Sequence, residues 1–227
     1  MSKIVWLKYD STTNGVKEVA PVTGCVGFLD SGMGGMSIVE YLARKFPEKT
    51  FMFLKDSDNF PYGPKSKEEL VVIGQNCVNQ LLEYNPPMIC IACNTMCCAL
   101  TDPVSPVPIL RINEQIAKQV KQTLPAGKKI YIISTQATKN SNFYQNALKD
   151  YVVDAHATPE FVLMVEHNEI TKEKVAKVIL DKPFDSDGII LGCTHFNYLY
   201  DICHELLGDN VYIFDGLKNL EEYIINY

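Results

Sequence analysis

The chain has 227 residues, of which 47% are hydrophobic and 21% are charged. These values are ordinary for a globular protein and leave room for one large domain or two small α/β units. The net charge of −6 gives no basic surface for nucleic acid or an anionic membrane, and no apolar run approaches the roughly 20 residues that span a bilayer. The N-terminal stretch lacks the apolar core of a signal peptide, so we expect a cytoplasmic protein.

Eight cysteines occur in the chain, and in a reducing cytosol we expect them to be thiols rather than disulfides. The spacing Cys90-x-x-Cys93, followed by Cys97-Cys98, raises a zinc or redox hypothesis. Cys90 lies inside an apolar run, however, and no second CxxC or HxxxH completes a tetrahedral site. The sequence therefore predicts no bound metal.

The first 20 residues predict a β-hairpin ahead of the main fold. Ile4–Tyr9 is rich in β-prone residues, Asn14-Gly15 is a strong type I′ turn signal, and Val16–Ala20 can return as the second strand. We assign residues 1–23 to this N-terminal extension and expect it to cover a sheet edge.

From Gly24 onward, short apolar strands alternate with helices, as in parallel, doubly wound α/β proteins. Strands are predicted at 25–29, 50–54, 88–92, 109–112, 130–133, 151–154, 188–192 and 211–214. Helices are predicted at 36–45, 66–84, 96–100, 113–124, up to 149, 171–180 and 196–207. We expect two similar units, 24–112 and 113–208, to face each other across a cleft, with 209–227 returning to the first unit.

The stretch Met88–Thr95 is the centre of the first unit. Its apolar run, Met88–Ala92, is typical of a strand buried on both faces. Cys93 falls where this strand ends, and Asn94 and Thr95 are good N-cap residues for the helix that follows. The helix dipole and its free N–H groups are expected to favour the thiolate and to lower the pKa of Cys93.

The same arrangement occurs again one hundred residues later. Gly188–Gly192 is an apolar strand, Cys193 stands at its end, and Thr194 and His195 follow. The alternative is that both cysteines are merely buried, because free cysteine is often fully buried. The duplication, with polar residues after both cysteines, favours a functional pair on opposite lips of the cleft.

A glycine-rich turn follows the first strand of the main fold, with the sequence Asp30-Ser31-Gly32-Met33-Gly34-Gly35. It fits neither GxGxxG nor GxxxxGK[ST], so the sequence does not favour a dinucleotide or nucleoside-triphosphate site. The glycines suggest a backbone that approaches a small anionic ligand at a helix N-terminus. Asp30 favours a ligand site over a plain tight turn, since α/β sheets bind ligands at the C-terminal ends of their strands.

Four ordered motifs resemble the glutamate racemase family, within the wider aspartate/glutamate racemase superfamily. They are Phe28–Gly35, Pro61–Gly63, Ala92–Thr95 and Leu191–His195, with weaker matches at 134–138 and 161–166. The chain departs from the family pattern at Asn113–Gln115, at Phe196-Asn197 and at Asp215-Gly216, and its hairpin is extra.

The resemblance implies a cofactor-independent enzyme that interconverts L- and D-glutamate and supplies D-glutamate for peptidoglycan. Two acid–base groups facing each other across the α-carbon can remove a proton from one face and return one to the other. Cys93 would take the proton from the D-enantiomer and Cys193 from the L-enantiomer, with one thiolate and one thiol at any moment.

The resemblance also implies which residues assist the two cysteines and bind the substrate. Asp30 would assist Cys93, and His195, together with Glu166, would assist Cys193. The structural alternatives are a helix-cap carboxylate for Asp30, a capping or core histidine for His195 and a solvated surface residue for Glu166. The residues expected to bind the amino acid through polar side chains and N–H groups are Asp30, Ser31, Tyr62, Gly63, Asn94, Thr95, Thr194 and His195.

Two other functions stay open at this point. One is a racemase of the same superfamily that acts on aspartate or another amino acid. The other is a non-catalytic protein that binds an amino acid, thiols or a metal. We expect a small amino acid as the partner and no cofactor, nucleic acid or membrane, and a homodimer is one assembly that the resemblance allows.

Overall fold

The computed structural model describes residues 2–181 and 184–227, which form two sheets. The strands of the first sheet are Lys3–Asp10 (β1), Gly15–Val19 (β2), Val26–Asp30 (β3), Thr50–Lys55 (β4), Ile89–Ile91 (β5) and Ile109–Arg111 (β6). Their order is β2-β1-β4-β3-β5-β6, and the pairs among β3 to β6 are parallel.

The second sheet has the strands Lys129–Ser134 (β7), Val152–Ala157 (β8), Gly188–Gly192 (β9) and Tyr212–Phe214 (β10). Their order is β10-β9-β7-β8, and all three pairs are parallel. The predicted α/β architecture of two mainly parallel sheets is confirmed.

Helices connect the parallel strands. In the first half they are Gly34–Lys45 (α1), Lys67–Leu82 (α2), Asn94–Ala99 (α3) and Ile112–Thr123 (α4). In the second half they are Gln136–Asn140 (α5), Phe143–Ala147 (α6), Glu160–Glu166 (α7), Lys172–Ile179 (α8), Tyr200–Leu207 (α9) and Leu217–Ile224 (α10). Among the residues that the structure describes, no helix is both long and apolar enough to cross a membrane.

The apolar runs of β3, β5 and β9 are buried at every position, as expected for strands covered on both faces. On β9 the side chains alternate between two cores: Ile190 belongs to the core that also covers the first sheet, whereas Ile189 and Leu191 belong to the core on the other face. This alternation follows from the two-residue period of a strand. The strand ends that carry the predicted site are therefore held from both sides.

Two predicted helices are interrupted in the structure. The helix expected to end at 149 is divided into α5 and α6, because Asn142 between them has a φ of 53°, in the left-handed region. The helix expected from 196 begins as a 3-10 helix, Thr194–Leu199, and becomes α-helical only at α9. The predicted capping box of α2 is present, with Ser66 and Glu69 bonding each other's backbone N–H groups.

The predicted N-terminal hairpin extends the first sheet. β1 pairs antiparallel with β4, and β2 pairs antiparallel with β1 at the outer edge. The turn differs from the expected two-residue type I′ turn: Asp10 pairs with Gly15, so four residues connect the strands, and Asn14 has a φ of 53°. The side chain of Trp6 is buried against the ring of Tyr84 and donates from its indole Nε1 to the Val22 carbonyl.

The C-terminal segment 209–227 joins both halves of the molecule. The sequence suggested a return to the first unit, and α10 packs against α1 of that unit and also against α4, which belongs to the predicted second unit. β10, by contrast, pairs with β9 as an edge strand of the second sheet. The exact limits of the two units, drawn from the sequence, stay a prediction.

Candidate active site

A cavity of about 330 Å³ lies where the C-terminal ends of strands from both sheets meet. Cys93 follows β5 and Cys193 follows β9, so each sheet presents one of the two cysteines to the same space. The residues of the sequence-predicted site that line it are Asp30, Ser31, Tyr62, Gly63, Cys93, Thr95, Cys193, Thr194 and His195.

Cys93 is the N-cap residue of α3, and only 7% of it is exposed. The backbone N–H of Met96 in the first turn of α3 favours the thiolate and lowers the pKa of Cys93, which is the expected effect of a helix N-terminus. Burial and then the neighbouring Asp30 carboxylate outweigh this effect and hold the pKa of Cys93 well above its ordinary value. The sequence-based expectation of a lowered pKa was wrong, because burial could not be weighed against the helix terminus.

Cys193 has a different neighbour. Its Sγ lies 3.8 Å from Nδ1 of His195, and Nε2 of the same ring lies 2.7 Å from Oε1 of Glu166. The same Glu166 oxygen accepts a hydrogen bond from the backbone N–H of Met33 at 3.0 Å. Glu166 therefore fixes His195 and also connects the second half of the chain to the glycine-rich turn of the first.

The charges around His195 favour its protonated form. Burial alone would lower the pKa of this imidazole, but Cys193, Asp30 and Glu166 outweigh burial and raise it to about 9. Burial likewise works against ionisation of Glu166, yet the hydrogen bonds from His195 and Met33 lower the pKa of this carboxyl. An imidazolium thus lies between a carboxylate and the Cys193 sulfur.

Asp30 is fully buried and bridges the two halves of the site. Its Oδ1 accepts from the N–H of Gly32 at 2.9 Å, and its Oδ2 accepts from the hydroxyl of Thr194 at 2.9 Å. Burial raises the pKa of Asp30, and the nearby His195 and these hydrogen bonds counteract the rise only in part. The charge of Asp30 raises the pKa of Cys93, and its carboxyl group also accepts a hydrogen bond from Thr194, the residue next to Cys193.

The glycines of the turn allow close contact between the two halves of the molecule. A Cβ on Gly32 would lie 2.7 Å from Glu166 Oε1, and a Cβ on Gly34 would lie 2.6 Å from the backbone nitrogen of His195. Side chains are absent there because the Thr194–His195 segment packs directly on the turn. These glycines allow close packing between the two halves, and the expectation that the backbone of the turn also approaches an anionic ligand stays a prediction.

The remaining residues predicted to bind substrate fall into two groups. Ser31, Gly63 and Thr95 lie on the cavity wall, and the hydroxyl of Thr95 is 2.9 Å from that of Thr135. The side chain of Asn94 instead accepts a hydrogen bond of 2.6 Å from the hydroxyl of Tyr144, behind the wall. Glu166 also lies behind the wall, where it contacts His195.

Several wall residues were not predicted as site residues. They are Phe60, Pro61, Pro64, Thr135, Gln136, Pro159, Val162 and Leu163. Pro61, Thr135, Gln136 and Val162 lie in motifs that carried the resemblance, which was the available signal. Pro159 and Leu163 gave none, because apolar residues have the same pattern whether they meet a core or a cavity.

The zinc hypothesis was tested by the geometry of the cysteines. All eight are free thiols, and the Cys97 thiol donates to the carbonyl of Ile91 at 3.2 Å. Within residues 2–181 and 184–227, no group of three or more His, Cys, Asp or Glu side chains is placed to hold a metal ion.

Two α/β halves that each present a strand-end cysteine to one cavity have the arrangement expected of an amino-acid racemase that uses two thiols. A family model described as Asp/Glu/Hydantoin racemase matches residues 36–219. A glutamate racemase of Streptococcus gordonii is 32% identical over 202 residues, which cover 84% of this chain and 76% of that protein.

Solved structures have the same fold. The glutamate racemase isoform RacE1 of Bacillus anthracis has a TM-score of 0.79 at 28% identity, covering 89% of this chain and 80% of that one. A glutamate racemase of Francisella tularensis, in complex with D-glutamate, has a TM-score of 0.75 at 25% identity, covering 90% and 81%. The chain belongs to the Asp/Glu/hydantoin racemase family, and the resemblance found in its motifs is confirmed.

Proposed function

We propose that this protein is a glutamate racemase that interconverts L- and D-glutamate by direct proton transfer at the α-carbon. The observation that carries the proposal is the placement of Cys93 and Cys193 on one cavity, each at the end of a strand from a different sheet. Two monoprotic groups on opposite sides of a carbon can invert it without rotating the substrate.

In the proposed reaction, one thiolate removes the α-proton, so that a C–H bond breaks and an S–H bond forms. The opposite thiol then delivers its proton to the other face of the carbanion and becomes a thiolate. Cys193 acts on L-glutamate and Cys93 on D-glutamate. Asp30 assists Cys93, while His195, held by Glu166, assists Cys193; the distances and pKa directions given above support these roles.

The substrate is proposed to be held by neutral donors together with the charged groups at the strand ends. Ser31 and Thr95, with the backbone at Tyr62 and Gly63, line the cavity and can donate to carboxylates. The hydroxyl of Thr194 donates to Asp30, so toward the substrate it can only accept, for example from the ammonium group. Asn94, which bonds Tyr144, supports this wall from behind. We propose glutamate rather than aspartate as the substrate, because the relative from Streptococcus gordonii is a glutamate racemase and the structure from Francisella tularensis is a complex with D-glutamate.

The setting of this activity is part of the same proposal. D-Glutamate made here would serve peptidoglycan synthesis in the cytoplasm, without pyridoxal phosphate or metal, and without a nucleic-acid or membrane partner. A homodimer is the proposed assembly. Full activity in the presence of a chelator and of hydroxylamine is expected, and loss with either reagent contradicts the two-thiol mechanism.

The decisive experiment follows the α-hydrogen in D₂O by proton NMR over the first few per cent of reaction. Both thiols exchange with water between turnovers, and the base that removes the proton is not the acid that delivers one. D-Glutamate formed from L-glutamate should therefore carry deuterium from its first appearance, while unreacted L-glutamate stays protiated. Product that keeps the substrate's hydrogen would refute the two-base mechanism.

The two alternatives have their own readouts. Loss of optical rotation measured with L-glutamate and with L-aspartate compares the substrates, and a kcat/KM for aspartate at or above that for glutamate would make this an aspartate racemase. No turnover with either amino acid, together with zinc bound at stoichiometric amounts, would favour a thiol/metal-binding protein.

A further inference from the structure

The loop Asp56–Pro64 connects β4 to the approach of α2 and forms one side of the cavity. Its last five residues line the cavity wall: Phe60, Pro61, Tyr62, Gly63 and Pro64. Apart from a 3-10 turn at Ser57–Asn59, the loop has no regular structure of its own. Its shape must therefore be fixed by side chains at its base.

Asp56 supplies most of these contacts. It is buried, and its carboxylate accepts hydrogen bonds from the hydroxyl of Tyr62 at 2.7 Å and from the side-chain amide of Asn59 at 2.9 Å. Its backbone N–H donates to the carbonyl of Asp30 at 2.8 Å. Asp56 thus connects the loop to the strand end that carries the Asp30 carboxyl group.

The N-terminal hairpin reaches the same carboxylate. The antiparallel register of β1 on β4 pairs Lys3 with Lys55, so the next residue outward, Ser2, comes opposite Asp56. The Ser2 hydroxyl donates to Asp56 Oδ1 at 2.6 Å and accepts from the backbone N–H of Asp58 at 3.2 Å. The Ser2 N–H donates to the Asp58 carboxylate at 2.8 Å.

We propose that Ser2 and Asp56 are positioning residues for the substrate, through which the N-terminal hairpin holds the loop Asp56–Pro64 against the cavity. Neither residue lines the cavity; both act through Tyr62 and Gly63. The hairpin, which lies outside the family motifs of this chain, thus covers the edge of the first sheet and also holds one wall of the cavity in place. The inference rests on the proposed function in that the cavity is taken as the substrate site.

The test compares Ser2→Ala with Ser2→Thr, which keeps the hydroxyl, and with Ser11→Ala, an exposed serine in the turn of the same hairpin. Racemisation of glutamate is measured in both directions. Ser2→Ala should raise KM about threefold with kcat nearly unchanged, because the lost hydrogen bond loosens the loop without removing any group that contacts the substrate. Ser2→Thr and Ser11→Ala should keep wild-type values.

Asp56→Asn is the stronger variant, with Asp150→Asn, an exposed aspartate of the second half, as its control. An amide has one acceptor oxygen instead of two, so it cannot accept from Ser2 and Tyr62 in the present arrangement. KM should rise about tenfold. If Asp56→Asn does not fold, the Ser2 variants decide the question.

Amide hydrogen exchange of the peptide covering 56–63 gives a readout that needs no catalysis. Exchange should be faster in Ser2→Ala and Asp56→Asn and unchanged in Ser2→Thr and Ser11→Ala. Wild-type exchange and wild-type KM in Ser2→Ala, or an equal rise of KM in Ser11→Ala, overturns the inference. A wild-type protein without glutamate turnover refutes the proposed function instead, and the exchange comparison still decides this one.

Discussion

The Cys93 side and the Cys193 side of the cavity share one backbone plan but differ in charge. Each cysteine ends a buried strand and begins a helix, an α-helix after Cys93 and a 3-10 helix after Cys193. The buried carboxyl group of Asp30 raises the pKa of Cys93, whereas the imidazolium of His195 lies beside Cys193. Equal backbone geometry therefore does not give equal chemistry, since the neighbouring side chain decides which charge is favoured.

This difference gives the two thiols different electrostatic surroundings. The raised pKa of Cys93 keeps its proton in place, and the raised pKa of His195 keeps a positive charge next to Cys193. A two-base enzyme needs one protonated and one deprotonated group at the start of each turnover. The free protein already distinguishes the two thiols, because Cys93 keeps its proton and Cys193 lies beside a positive charge.

The largest expected effect comes from removing either thiol. Cys93→Ser and Cys193→Ser should each lower kcat/KM for racemisation by about a thousandfold, because a hydroxyl is far too weak an acid to replace a thiol at neutral pH. In D₂O, the remaining thiol should still exchange the α-hydrogen of one enantiomer: D-glutamate in Cys193→Ser and L-glutamate in Cys93→Ser. Racemisation that survives in either variant contradicts the assignment.

The neighbours of the thiols should matter next. His195→Asn and Asp30→Asn should each lower kcat/KM by about a hundredfold, within the usual range for acid–base groups. Because the equilibrium constant of a racemisation is one, kcat/KM must fall equally in both directions. The sides are told apart by α-hydrogen exchange: His195→Asn should slow exchange into L-glutamate more than into D-glutamate, and Asp30→Asn the reverse. Equal slowing of both would remove the distinction between the two sides.

The raised pKa of His195 also makes stability depend on pH. A base whose pKa rises on folding stabilises the folded state fully below its unfolded pKa and loses this contribution as pH rises through the folded pKa. For His195 this loss falls between pH 6.5, the ordinary pKa of the imidazole, and about pH 9, its pKa in the folded protein. In urea unfolding, the difference in free energy of unfolding between the wild type and His195→Asn should shrink by about 3 kcal/mol over this pH range. A constant difference would mean that His195 is neutral in the folded protein.

The close packing between the two sides can be disturbed without touching a polar group. Gly34→Ala places a methyl group against Thr194 and the His195 backbone, and overpacking of this kind costs about 1–3 kcal/mol in the free energy of unfolding. Gly15→Ala is the matched control, since a Cβ there meets only Thr13, at 3.5 Å. A thermal shift of equal size in both variants would show that the interface is not the cause.

The smallest effect is expected for cysteines outside the pair. Cys98 is half-buried on the helix that follows Cys93, and Cys98→Ser should change kcat/KM less than about twofold and stability by about 1 kcal/mol. The same holds for Cys25, Cys77, Cys90, Cys97 and Cys203. Abolished turnover in a folded Cys98→Ser variant would extend the active site beyond the two strand ends.

Local patterns in the sequence predicted the strands and both cysteine positions well. Runs such as Gly188–Gly192 indicate a buried strand by their own composition, and Ser66 with Glu69 marks the start of α2. The pKa of Cys93 and the function of Gly34 could not be predicted this way. Both depend on groups that come from distant parts of the chain, and composition does not show which groups will meet.

The contacts at the base of the loop Asp56–Pro64 could not be predicted from local sequence patterns either. Asp56 stands in a stretch rich in turn-forming residues, where an aspartate usually caps a local turn. Its bond to Ser2 depends on the register of β1 on β4, which only the assembled sheet defines. The resemblance located Tyr62 and Gly63 but gave no reason to examine the residue that holds them.

The hydrogen bond between Asp30 and Thr194 joins residues 164 positions apart, and Met33 is bonded to Glu166 across 133 positions. Contacts of such sequence separation form slowly, and during synthesis the N-terminal part of a chain can fold before the rest has left the ribosome. A nascent chain that ends before residue 190 can contain Cys93 at the end of its strand but lacks Cys193, Thr194 and His195. Under the proposed two-thiol mechanism, proton transfer across the cavity therefore requires a chain that extends at least to His195.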